Sequence, residues 1–139
     1  MSGGGRIFLA LGALSAALSV IIGAAAEHAP SAQLAASLPL FRTAHQYHQF
    51  HALGLMIVGL ALWGRPAASR WFVWSGWLMI AGTFLFCGNL YLRSIADIQQ
   101  LHAITPFGGG AFILAWLALA VGVLSPARDD AATNKKSSR

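Results

Sequence analysis

Acidic side chains are almost missing from this sequence. Glu27, Asp97, Asp129 and Asp130 are the four among 139 residues; with nine Lys and Arg they bring the charged share to 9%. A soluble globular chain carries about 25%, so these charges cannot cover a water-exposed surface of this size. Cysteine is limited to Cys87, which excludes an internal disulfide and leaves the redox compartment open. There is no HExxH or CxxC spacing, no GxSxG, no Gly-rich phosphate loop and no buried pair of carboxylates. The usual apparatus of hydrolytic and nucleophilic catalysis is not visible, and no enzymatic activity is expected.

What is present is apolar. Hydrophobic residues make up 57% of the chain, and the mean hydropathy is +0.64. Four apolar runs predict an all-α fold, a four-helix transmembrane bundle in one domain over residues 1–124, with helices near 7–26, 44–63, 71–92 and 104–124. The first run is long enough to cross a hydrocarbon core of roughly 30 Å. It ends in Ala24-Ala25-Ala26, which imitates a signal cleavage site, but it exceeds a usual signal core and is read as an uncleaved helix. The second run is informative because it is short. Ala52 to Trp63 gives only about 18 Å of helix, too little to span, so the helix must begin near Ala44 and carry His48 and His51 with it. Pro30 and Pro39 are expected to break any long helix in the loop from Glu27 to Thr43, with residues 32–38 lying flat at the interface. Thr105 reads as an N-cap for the fourth helix, with Pro106 at its first position. Residues 125–139 form a polar tail, expected to be disordered.

Charge fixes an expected orientation. Arg6, Arg65, Arg70, Arg128, Lys135, Lys136 and Arg139 fall on one side, Arg42 and Arg93 on the other. Positive residues favour the cytoplasm, so both termini should be cytoplasmic in a bacterial cytoplasmic (inner) membrane. The net charge of +5 is explained by that placement, not by a nucleic-acid partner; the expected partner is the lipid bilayer. Trp63, Trp71 and Trp74 mark one interface, Tyr47 and Tyr91 the other. Small residues form stripes at Gly12, Ala16, Ser19 and Gly23 and at Ala111, Ala115, Ala118 and Gly122. These suit helix packing within a bundle or, alternatively, a homo-oligomer or complex interface.

All five histidines, His28, His45, His48, His51 and His102, fall at the outer ends of the four runs. A polar group buried without a partner costs several kcal/mol, so His51 needs a hydrogen bond, a cavity or a ligand. His28, His48, His51, His102, Asn89 and Tyr47 form the candidate polar cluster. Gly108, Gly109 and Gly110 mark a close approach to the backbone, by a ring or neighbouring helix or else by a cofactor. The plainest reading is a histidine network that locks the helices. The alternatives are a Zn or Cu site built on His48, His51 and His28, a b-type haem between two histidines, and a proton or solute path. No cofactor is expected.

Several segments together carry a resemblance: the Gly-Ala pattern ending at His28; Tyr47-His48-Gln49-Phe50-His51-Ala52-Leu53; Gly82-Thr83-Phe84-Leu85-Phe86-Cys87 with Tyr91; and Thr105-Pro106-Phe107-Gly108-Gly109. From about Leu9 to Leu124 the chain resembles the domain of unknown function 423 family, which includes bacterial inner-membrane proteins and the animal transmembrane protein 256. The resemblance implies a four-helix integral membrane protein with no established activity. It places His28, His51 and the Thr-Pro-x-Gly-Gly segment among matching positions. Many bacterial members have glutamine where this chain has His48, and the usual Gly-Ala-His is replaced here by Ala26-Glu27-His28.

Overall fold

A computed structural model describes residues 3–28, 31–64 and 69–125. Pro30, Arg65, Pro66 and the tail beyond Ser125, with its basic residues, lie outside them. Among the described residues every regular element is helical. These are α1 (Gly3–His28), α2 (Ala32–Ala36), α3 (Leu38–Gly64), α4 (Ser69–Gly82), a π-helical segment (Thr83–Gly88), α5 (Asn89–Ala96), a 3₁₀ segment (Gln99–Ile104) and α6 (Thr105–Leu124). α4, the π segment and α5 run on without a break.

Among the described residues, three stretches are long and apolar enough to cross a membrane: Gly3–His28, Arg70–Ala96 and His102–Leu124. α3 matches them in length, at 27 residues, but its histidines and glutamines keep its hydropathy below theirs. Only 17% of the most apolar stretch of α1 is buried; its apolarity faces outward, as Leu14, Val20 and Ile21 do. An apolar surface of that kind suits lipid better than water.

Local chemistry sets the ends, and in places corrects the sequence expectation. Pro39 does not break a helix. It sits in the first turn of α3, where a missing N–H is one of the surplus donors, so α3 begins at Leu38, well before Ala44. α2 is a single capped turn, the Leu34 N–H donating to Ser31 Oγ at 3.0 Å. α5 stops at Asp97, whose φ of 55° is left-handed, a usual helix-ending conformation. Thr105 is not the N-cap of α6. Its backbone is already helical and its N–H donates to the His102 carbonyl, because the 3₁₀ segment feeds directly into α6. The Thr105 hydroxyl is left buried without a hydrogen bond. Pro106 does occupy the first turn.

α3 is the hub. α1 packs along it on one side, α4, the π segment and α5 on another, while α6 packs along α4 and the π segment. Away from the histidines, Phe8, Leu55, Val58, Leu62, Phe72, Met79, Ala115 and Leu119 form one core. Both small stripes are turned into the chain. A Cβ at Gly12 would stand 2.9 Å from the Ala52 carbonyl oxygen of α3, and one at Gly122 would stand 2.5 Å from the Phe72 ring. Ala115 and Ala118 are buried. The stripes thus serve helix contacts within one molecule.

Candidate functional site

His45, His48 and His51 recur every third residue in the first half of α3, so they share one broad face and rotate gradually round it. His48 and His51 are 3% and 4% exposed. Each is satisfied differently.

His51 joins α3 to α6. Its Nδ1–H donates to the Tyr47 carbonyl at 2.8 Å, and the Trp116 Nε1–H donates to its Nε2 at 3.2 Å. A carbonyl only accepts and an indole N–H only donates, so the ring is the neutral Nδ1–H tautomer with both nitrogens in use. One face lies flat on Phe112 of α6, centroids 3.4 Å apart at 15°. Tyr47 stacks beside it and touches Phe86 of the π segment at 4.8 Å.

His48 joins α3 to α1 and α5 through a hydrogen-bonded chain. The Gln49 amide N–H donates to His45 Nε2 at 3.1 Å. With that nitrogen accepting, His45 Nδ1–H donates to the Tyr91 oxygen at 3.3 Å. The Tyr91 hydroxyl then donates to His48 Nδ1 at 3.3 Å, and His48 Nε2–H donates to Ser15 Oγ of α1 at 3.0 Å. Every heteroatom in the run finds a partner with both imidazoles neutral. Gly23 of α1 makes room for it: a Cβ there would stand 2.9 Å from the His45 ring.

Two cavities meet this chain. One, of about 470 Å³, holds Glu27, Arg42, His45 and Gln49 near the end of the bundle. The other, of about 440 Å³, is a cleft between α1 and the π segment, floored by His48 and His51 and rimmed by leucines.

The remaining candidates are dispersed. His28 ends α1 and His102 lies on the 3₁₀ segment; both are exposed and neither joins the His48 or His51 arrangement. Among the described residues no group of three His, Cys, Asp or Glu side chains gathers where it could hold a metal ion. Asn89 is buried at the start of α5. Of the three glycines, Gly108 alone meets a close neighbour: a Cβ would stand 2.5 Å from the Phe86 backbone nitrogen. Gly109 has its nearest neighbour at 3.9 Å and Gly110 has none within 4 Å.

Four participants escape a reading of the sequence alone. Ser15 carried one signal, a hydroxyl between Gly12 and Ser19 on the small-residue face of α1. Tyr91 reads as an interfacial anchor but is tied into the histidine chain. Trp116 and the π segment carry no signal, since an indole or a shifted register in a uniformly apolar helix leaves the hydropathy pattern unchanged.

A family model described as "Protein of unknown function (DUF423)" matches residues 22–109. The UPF0382 membrane protein YwdK of Bacillus subtilis (strain 168) is 39% identical over 120 residues, 86% of this chain and 97% of that one. A UPF0382 membrane protein of Staphylococcus epidermidis is 35% identical over 86% of this chain and 96% of its own. The UPF0382 inner membrane protein YgdD of Escherichia coli (strain K12) is 32% identical over 86% of this chain and 90% of its own. No solved structure matches. A match across most of the chain, at this identity and through the segments that carry His48, His51 and Gly108, means that the protein belongs to the DUF423 family of proteins of unknown function.

Proposed function

We propose that the protein is a four-span integral protein of the bacterial cytoplasmic membrane, both termini cytoplasmic, acting as a non-enzymatic structural or accessory component. α3 supplies the fourth crossing. Its 27 residues reach about 40 Å at 1.5 Å per residue, and the buried imidazoles it carries are internally satisfied. Arg6 and Arg70 stand at one end of the bundle and Arg42 and Arg93 at the other; the basic tail tips the balance toward a cytoplasmic end. Relatives named as membrane and inner membrane proteins support the location.

The observation that carries the structural role is His51. Both its nitrogens are in use: Nδ1–H is spent on the Tyr47 carbonyl of its own helix, while Nε2 and one ring face fasten α3 to Trp116 and Phe112 of α6. A ligating imidazole keeps a nitrogen lone pair for its metal; this one lends its lone pair to an indole. Two experiments test the proposal. Fluorescent-protein fusions at each terminus should both light up in the cytoplasm, and a dark C-terminal fusion would remove the fourth crossing. Purification in mild detergent should yield a defined oligomer or a retained partner; a uniform monomer with no partner counts against the accessory role.

A further inference from the structure

The cleft between α1 and the π segment has walls and a floor of different character. Leu14, Leu18 and Phe84 at its mouth are 67%, 50% and 75% exposed, while His48, Leu55 and Cys87 at its floor are almost fully buried. Among the described residues, no Asp, Glu, Lys or Arg side chain lines it. Hydrogen-bonding groups nevertheless enter from three elements, Ser15 from α1, His48 from α3 and Tyr91 from α5, and the π segment contributes Thr83, Phe84, Cys87 and Gly88. π-helical turns inside α-helices occur frequently at functional sites. At about 440 Å³ the cleft falls in the size range of small-molecule pockets, which are largely apolar with a few placed polar groups.

We propose that this cleft binds a lipid-soluble quinone, its ring carbonyl on Ser15 and its tail leaving between Leu14, Leu18 and Phe84. The absence of a lining cation disfavours phosphate or carboxylate heads. The direction of the hydrogen-bonded chain selects an acceptor: with Gln49 donating at its head, His48 donates to Ser15 Oγ, which leaves the Ser15 hydroxyl hydrogen for an acceptor oxygen, such as a ring carbonyl, in the cleft that Ser15 lines. An acceptor oxygen satisfies it, and the aromatic rings of Phe84 and Tyr91 line the same cleft, as suits a planar ring. The same chain leads away from the cleft, through Tyr91 and His45, to Gln49 on the exposed surface. The proposal rests on α1 and the π segment both facing lipid, as in the four-span arrangement.

The test uses the full chain in phospholipid nanodiscs, a decyl-benzoquinone as probe and an azido derivative of it for photolabelling. Saturable binding is expected, with label on the peptides that hold Ser15 and residues 83–91. Gly88 lines the cleft and a Cβ there meets nothing nearer than 3.8 Å, so Gly88→Leu should fill the space, keep the fold and lower affinity at least tenfold. Ser15→Ala should lower it about fivefold, the worth of one neutral hydrogen bond. Decylbenzene, which lacks the carbonyls, should compete at least tenfold more weakly. Non-saturable uptake equal in wild type and Gly88→Leu overturns the proposal, as does label confined to other helices. Equal competition by decylbenzene overturns it too, leaving the cleft as a seat for hydrocarbon alone. A chain that fails to enter the membrane fraction sinks the four-span arrangement itself, whereas a membrane-inserted chain without saturable binding sinks only the quinone site.

Discussion

The two halves of the helical bundle are held by different physics. In the half around Phe8, Val58, Phe72 and Met79 there are rings, branched side chains and glycines that admit them. In the half around His48 and His51 the helices are also tied by side-chain hydrogen bonds, α1 to α3 to α5 through His48 and α3 to α6 through His51. Within lipid, burial of apolar surface gives little drive for helices to associate, so close packing and interhelical hydrogen bonds carry that task. The packed half relies on the first. The histidine half contains a π segment and a cleft where packing is incomplete, and there the second takes over.

That contrast can be broken most forcefully at the contact where α6 meets the π segment. Gly108→Val places atoms on the Phe86 backbone, which cannot yield as a side chain tip can. Unfolding by sodium dodecyl sulfate in mixed micelles should show a loss of about 3 kcal/mol. Gly110→Val, two residues along with open space, should stay within about 0.5 kcal/mol of wild type; equal losses would mean that the glycine run matters for helix propensity rather than for approach. Next in size is His51→Ala, which removes a stacked ring and strands the Trp116 N–H, at about 2–3 kcal/mol. Trp116→Phe should cost about 1 kcal/mol, and the two changes together should cost less than their sum, since they share one bond. Tyr91→Phe cuts the His45–His48 chain and should cost about 0.6 kcal/mol, the average for such bonds inside a membrane protein. The smallest effect has the opposite sign. Ser75 in the packed half is fully buried and its hydroxyl makes no hydrogen bond. Ser75→Ala should therefore stabilise by about 0.5 kcal/mol, and a loss instead would place a polar interaction in the half described here as packing alone.

The sequence made some of this legible and hid the rest for definable reasons. The sequence expects His51 to be drawn inward, because the apolar run after it is short for a crossing helix, and the ring is buried at 4% exposure. The small stripes point to helix contacts because their spacing keeps them on one face. Partner choice is another matter. Whether His51 meets Trp116, Asn89 or His28 depends on how each helix is rotated about its axis, and helices that are apolar on nearly every side carry little information about that angle. The π segment is hidden for the same reason, since one residue of slippage in Thr83–Gly88 trades one apolar face for another. Thr105 and Pro39 mislead because each has an ordinary role at a helix start that depends on what precedes it. A 3₁₀ segment already supplies the start of α6, and α3 had already begun when Pro39 was reached.

The most direct measurement is the ring-nitrogen spectrum of His51 in protein labelled with ¹⁵N-histidine and reconstituted in lipid, assigned by its loss in His51→Gln. Donation to the Tyr47 carbonyl and acceptance from Trp116 require a neutral ring with hydrogen on Nδ1 and a lone pair on Nε2, and Trp116→Phe should shift the Nε2 resonance alone. A ring protonated on Nε2, or one exchanging between the two tautomers, would contradict the claim that this histidine fastens α3 to α6.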